Sequence, residues 1–278
     1  MRVPRGLHGS DRLVRVIDNP KSARVRRVAA LARKKDRLTA GLFLVEGPQA
    51  VRELLVHRPA QVQALYATMG NELWQFELDR LADAAEVEIV RVTEQVLVAM
   101  AETVQPQGVL AVARIERPPL DAVIAEAKLI AVLHEVRDPG NAGAVLRAAD
   151  AAGADAVVFS GASIDPWHPK VVRSTTGSLF HLPVVVVDSL AELVVVAREC
   201  GLSVVAADVN GYELDPADSA LVEPTVWVFG NEAHGLTDAE RALADRAVRL
   251  PIFGKAESLN LATAASVLLY HSAFAQRS

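Results

Sequence analysis

Five times in its second half the chain returns to a short, almost unbroken apolar run: LIAVLHEV, DAVVFS, PVVVVD, SVVAAD and TVWVFG. A strand that is apolar on both faces must be covered on both. Parallel sheets meet that need because each βαβ crossover lays a helix over the sheet. The stretches between the runs, AGAVLRAADAAG, SLAELVVVARECG and TDAERALADR, space their apolar residues as helices do. With a further strand in AVRLPI and a closing Ala/Leu-rich helix, residues 128–278 are predicted to form a parallel-sheet α/β domain.

The first half is built on a smaller scale. LFLVEG, VQALYAT, VEIVRV and GVLAVAR read as strands, with helix-like PQAVRELLVH, ELWQFELDRLADAAE and EQVLVAMAE between them. At 278 residues the chain is long enough for about two domains. Pro118 and Pro119 can continue neither a helix nor a central strand, so the boundary falls there. The expected division is a leader over 1–37, a small α/β domain over 38–116, a linker over 117–127 and the larger domain over 128–278.

Charge is distributed unevenly. Net charge is -5 overall, yet residues 1–37 hold 12 Lys and Arg against three Asp, a local +9. A basic edge on an acidic body is one way to hold a polyanion while staying soluble, and a solvated helix face is the other reading. Cys200 is the only cysteine, which rules out an intramolecular disulfide and paired-cysteine metal sites and favours a reducing cytoplasm. The amino end lacks the apolar core of a signal peptide, and LNLATAASVLLYHSAFA is too short and too polar to span a bilayer.

Three stretches carry candidate chemistry. In DPGNAGAVLRAADAAG, Asn141 suits a helix N-cap and Gly153 a helix stop. Arg147 lies one turn beyond Gly143, so its side chain leans back toward the loop mouth over a residue that leaves room for a ligand. In FGNEAHGL, Gly230 and Gly235 permit close backbone approach around Asn231 and Glu232, and Thr237 with Glu240 forms a capping box that starts the next helix. In LPIFGKAESLNLATAASVLLYH, Ser258 is placed to cap the last helix, with Asn260 in its first turn. None of these is a Walker loop, a dinucleotide fingerprint, a nucleophile elbow or a His/Glu metal motif, so no metal is expected.

Taken in order, Asn141-x-Gly143-x-x-x-Arg147, FGNEAHGL and LPIFGKAESLNLATAASVLLY resemble the three motifs of the SpoU (TrmH) family of RNA ribose 2'-O-methyltransferases, in the SPOUT superfamily. RSTTGSLFHLP, 173–183, is similar to the family's connection ending in proline. The resemblance covers about residues 128–278. The segment before it resembles, by architecture, the substrate-binding domain of rRNA-modifying members.

The resemblance implies a deep trefoil knot at the carboxyl end, an exception to the rule that chains do not thread loops. It implies S-adenosylmethionine as cofactor, with Gly230, Leu250, Ile252 and Leu259 in contact and Asn231, Ala206 and Ala207 beside them. It implies a catalytic set of Asn141, Arg147, Glu232, Ser258 and Asn260. A ribose hydroxyl is a poor nucleophile, so the site must help its proton leave or stabilise the growing charge on oxygen. A guanidinium is hardly ever deprotonated, so Arg147 suits hydrogen bonding to that oxygen or to a phosphate better than the role of base. The resemblance further implies a homodimer closed over the last helix and an RNA partner, most simply rRNA. A tRNA methyltransferase and an inactive knotted RNA-binding protein are the alternatives; a dinucleotide-dependent oxidoreductase lacks its glycine fingerprint.

Overall fold

The computed structural model describes residues 16–70, 72–215 and 218–277. Arg2, Arg5, Arg12 and Arg15 of the basic leader lie outside the described residues. Helix formation begins inside the leader. α1 (Ala23–Ala30) is capped by the Ser22 hydroxyl and buries Val25 and Val28, turning Arg24, Arg26 and Arg27 outward. α2 (Lys34–Ala40) ends on Gly41 in the left-handed conformation, φ 65°. β1 (Leu42–Glu46), α3 (Pro48–His57), β2 (Val62–Ala67), α4 (Leu73–Ala84), β3 (Ile89–Arg91), α5 (Glu94–Met100) and β4 (Val109–Arg114) follow.

Their strands form one mixed sheet in the order β1-β4-β2-β3, antiparallel except between β2 and β3. α1 and α5 cover one face through Val25, Val28, Val96, Leu97 and Met100, which pack on Leu44, Tyr66 and Leu110. On the other face α3 and α4 bury Val51, Leu54 and Leu78 against Phe43, Val45 and Leu65.

α6 (Leu120–Ile124) leads from the two prolines into the second sheet. Its elements are β5 (Leu129–His134), α7 (Pro139–Ala152), β6 (Ala156–Ser160), α8 (Pro169–Ser174), β7 (Val184–Val187), α9 (Leu190–Glu199), β8 (Ser203–Glu213), β9 (Thr225–Phe229), α10 (Asp238–Arg241), β10 (Arg246–Arg249) and α11 (Leu261–Ala275). The six strands run parallel in the order β10-β8-β9-β5-β6-β7. Helices cover both faces, as the apolar runs demand: α7 and α11 lie over Leu133, Trp227 and Phe229, and α9 lies over Val132, Val158 and Val204. The Trp227 indole N–H donates to Ser272 Oγ at 2.9 Å, tying α11 to β9 through a buried polar contact.

Two elements depart from expectation. β8 runs past Asp208 to Glu213, because β10 supplies a ladder for Tyr212 and Glu213 after a register shift. Only the first turn of TDAERALADR is helical. Asp245 then exchanges hydrogen bonds with the backbone of Val204, accepting at its carboxylate and donating from its amide, which draws the chain into the sheet as β10.

The two sheets are joined by polar contacts as well as apolar ones. Arg37, one of the leader's cations in the sequence, is fully buried. Its Nε and Nη2 donate to Asp165 Oδ2 at 3.0 and 2.5 Å, and Nη1 donates to the carbonyls of Leu31 and Ala32. It therefore holds the fold together and offers nothing to an external polyanion. Arg173 pairs with Glu102 at 2.6 Å, and Phe43 stacks on Phe180. Among the described residues no helix is long and apolar enough to cross a membrane.

Candidate active site

Strand order turns back on itself between β5 and β9, and in parallel sheets ligands sit outside the carboxyl ends of strands at such a point. The loops that leave these two strands meet there. Glu232, in the turn after β9, accepts from the backbone N–H of Asp138 at 2.9 Å and of Arg137 at 3.1 Å, both in the loop after β5. Its Oε1 also lies 3.4 Å from the Asn141 amide nitrogen. Asn141 Oδ1 accepts in turn from Asn260 Nδ2 at 2.9 Å. Three loops far apart in sequence are thus fastened into one polar chain, Glu232 to Asn141 to Asn260.

Helix starts explain much of this placement, though not by the expected residues. α7 is capped by Asp138, whose Oδ1 accepts from Asn141 N at 2.7 Å, with Pro139 in the first turn. Asn141 is therefore not the cap, and its side chain is free to bridge Glu232 and Asn260. Asp followed by Pro is a strong start signal in its own right, since proline suits the first helical position and carries no N–H to satisfy. α11 is capped by Asn260, whose Oδ1 accepts from Ala262 N at 2.9 Å and Thr263 N at 3.4 Å. Ser258 is not the cap; it stands exposed in the preceding loop without a hydrogen bond among the described residues.

Gly143 has a different job from the one expected. A Cβ on Gly143 would sit 1.8 Å from Ser174 Oγ, so this glycine admits α8 and leaves no ligand space. A Cβ on Gly230 would fall 2.6 to 2.8 Å from the backbone of Gly235 and Leu236. The turn is closed on itself by paired backbone hydrogen bonds between Asn231 and Gly235, with Gly235 at φ 67°. Asn231 is buried; its Nδ2 donates to the Glu135 carbonyl at 2.8 Å and its Oδ1 accepts from Ala233 N at 2.9 Å. Its observed work is to shape this turn and pin it to the loop after β5, where Glu135 itself adopts φ 54°.

Arg147 is exposed on α7 and its guanidinium makes no hydrogen bond or ion pair among the described residues, so the structure does not join it to the polar chain. Ala206, within β8, is fully buried and pairs with Val228 of β9 and Ala247 of β10, and half-buried Ala207 pairs with Phe229 of β9. Sequence reasoning passed over His134. This buried side chain at the end of β5 lies 2.9 Å from both Ser160 Oγ and Glu240 Oε1. Burial raises the pKa of Glu240, but the hydrogen bonds from His134 and Thr237 outweigh it and hold the carboxyl below its ordinary value.

The loop from Leu250 to Leu259 is largely exposed. No backbone group in it is hydrogen-bonded among the described residues. Leu250 is half-buried against the core, while Ile252, Phe253 and Leu259 are exposed at 38%, 95% and 40%. Free amides and carbonyls beside uncovered apolar side chains suit a ligand with a flat, polar-edged ring, which is the chemistry an adenosine moiety presents. The residues present therefore fit S-adenosylmethionine.

Comparison with known proteins bears on the family. The SpoU rRNA Methylase family matches residues 128–270, and an MRM3-like substrate binding domain matches residues 22–111. The 23S rRNA (uridine(2479)-2'-O)-methyltransferase of Streptomyces viridochromogenes is 35% identical over 88% of this chain and 86% of its own. The 23S rRNA (guanosine(2553)-2'-O)-methyltransferase RlmP of Bacillus subtilis is 32% identical over 92% of this chain and 98% of its own. The crystal structure of the SpoU methyltransferase AviRb from Streptomyces viridochromogenes in complex with AdoMet superposes with a TM-score of 0.79 at 34% identity, over 92% of this chain and 99% of that one. With its parallel sheet, its joined motif loops and these relatives, the chain belongs to the SpoU rRNA methylase family.

Proposed function

We propose that this protein transfers a methyl group from S-adenosylmethionine to a ribose 2'-hydroxyl of RNA, with 23S rRNA as the substrate. The observation that carries the reading is the hydrogen-bonded chain from Glu232 through Asn141 to Asn260, which unites the three motif loops at the strand ends. The loop from Leu250 to Leu259, the Gly230–Asn231 turn and the middle of β8 at Ala206 and Ala207 would hold the cofactor, which when bound would supply an electrophilic methyl group.

The side chains then divide the remaining work. Glu232 fixes the loop after β5 through two backbone N–H groups, so its carboxylate orients and is not free to act as a base. Asn260 and Asn141 align the ribose edge of the site. Arg147, with no protein partner among the described residues, supplies the cation that hydrogen-bonds to the 2'-oxygen as negative charge grows there, or clamps the adjacent phosphate. Ser258, exposed in the cofactor loop, is available to the RNA.

Several wider features go with this reading. We take residues 1–37 as leader, 38–116 as an RNA-binding domain, 117–127 as linker and 128–278 as the catalytic domain; the break between β4 and α6 at Pro118 and Pro119 supports it. Threading of the carboxyl end into a trefoil knot is supported by the path of the chain, which leaves β10 at one sheet edge and returns through the free loop to lay α11 over the central strands. A homodimer closed over α11 is supported by exposed Val267, Tyr270 and Phe274, spaced to share one helix face. The single free cysteine suits the cytoplasm.

The test is transfer of labelled methyl from S-adenosylmethionine to ribosomal RNA, followed by mapping of ribose methylation. Arg147→Ala should abolish transfer while the cofactor still raises the melting temperature. An active Arg147→Ala protein refutes the assignment of that side chain, and methylation of a base in place of ribose refutes the reaction.

A further inference from the structure

Toward the other end of α7 from Asn141, α3 and the segment after α8 bring together three side chains that the methyl transfer does not use. Glu53 and His57 stand one helical turn apart on α3 and so share a face. His181 reaches them from the other sheet. Glu53 Oε2 lies 3.1 Å from His181 Nε2 and 3.3 Å from His57 Nε2, and all three atoms fall within 4.8 Å of one another. Metal–ligand bonds of about 2.0 Å arranged tetrahedrally place neighbouring ligand atoms about 3.3 Å apart, close to the two spacings from Glu53 Oε2, which in the metal-free protein are a hydrogen bond to His181 and an ion-pair contact with His57.

The outer contacts match as well. His181 Nδ1 lies 2.7 Å from Asp150 Oδ2, the carboxylate–imidazole arrangement that fixes the ring and leaves Nε2 to bind. Glu53 Oε1 is engaged by Arg52 at 2.6 Å and Gln49 at 3.1 Å, which aims Oε2 at the histidines. Gly177, at φ 108°, lets the chain before His181 approach so closely that a Cβ there would sit 2.3 Å from Glu53 Cγ. Arg58, next to His57, donates to the Phe180 carbonyl, next to His181, at 3.2 Å. The two segments are therefore held in place by contacts other than the ligands themselves.

We propose that Glu53, His57 and His181 form a site for a divalent transition metal of the zinc class, with water as fourth ligand, which clamps α3 to the second sheet. Two imidazoles and one carboxylate are the ligands zinc accepts, whereas magnesium and calcium want oxygen alone. The reading departs from the sequence expectation of no metal, since only Glu53 and His57 are near neighbours in the chain and His181 is delivered by the fold.

The experiment uses the full-length, tag-free protein stripped with chelator, titrated with Zn2+ against a chromophoric competitor and followed by its melting temperature. One equivalent of zinc should bind and raise the melting temperature, with no response to Mg2+. His57→Ala and His181→Ala should each weaken zinc binding at least tenfold, and Asp150→Asn about 10- to 100-fold as an outer contact. His57 is exposed enough that its replacement leaves the fold intact, so the result does not depend on the more enclosed His181. Absence of stoichiometric zinc binding, or equal binding by His57→Ala, overturns the proposal; so does X-ray absorption from the zinc-loaded protein showing an oxygen-only shell.

Discussion

Replacing Arg37 by Met tests how firmly the small sheet is fixed to the large one. The guanidinium is fully buried and makes four hydrogen bonds, two to Asp165 and two to the carbonyls that close α1. Methionine keeps most of the volume, so the cost comes from the charge left behind. The carboxylate of Asp165, a residue 7% exposed, would retain only its hydrogen bond from Trp167 N at 3.0 Å. Breaking one side of such a pair costs about 3–5 kcal/mol. For a chain of this size each kcal/mol lowers the melting temperature by about 2–4 °C, giving a fall of about 6–20 °C. Scanning calorimetry of the purified protein reads it directly. Adding Asp165→Leu to Arg37→Met should recover much of the stability, because the second change removes the stranded carboxylate. A single-variant fall below about 3 °C, or a double variant no more stable than the single, refutes the reasoning.

Three further outcomes are expected. Asn260→Ala should remove the α11 cap, about 1 kcal/mol, together with methyl transfer, whereas Asn260→Asp keeps the cap acceptor and gives up only the donation to Asn141; transfer should fall in both and stability chiefly in the first. The depressed pKa of Glu240 contributes stability that is present above the ordinary glutamate range and disappears as pH falls through the lowered folded value, so the melting-temperature gap between parent and Glu240→Gln should be open at pH 7 and closed in strong acid. Reversing the exposed charges of Arg26, Arg27, Lys34 and Lys35 should weaken RNA binding and reduce its salt slope by about one for each phosphate no longer neutralised, with folding unaffected, and an unchanged slope would remove this face from the RNA footprint.

Much of the fold was legible in the chain because burial on two faces leaves a local signature. LIAVLHEV, DAVVFS, PVVVVD and TVWVFG each became a parallel strand, and the capping box at Thr237 formed as its residues required. The extent of β8 and the shortness of α10 were not legible, since both depend on a ladder with β10 that no local pattern encodes. The motif residues were legible as a set, and their division of labour was not. Asp138 and Asn260 took the capping roles expected of Asn141 and Ser258, because a cap is decided by which side chain the last extended residue carries as the backbone enters the helix.

By itself the sequence determined the layered α/β class, the motif order and the uneven charge, all of which follow from residue type and spacing. Tertiary structure alone decided that Gly143 and Gly230 serve packing and turn closure, that Arg37 belongs to the interior, and that His181 meets Glu53 and His57. Those outcomes depend on interactions between segments up to 128 positions apart, where the energy of burying or pairing a group is set by neighbours that its own stretch of chain does not contain.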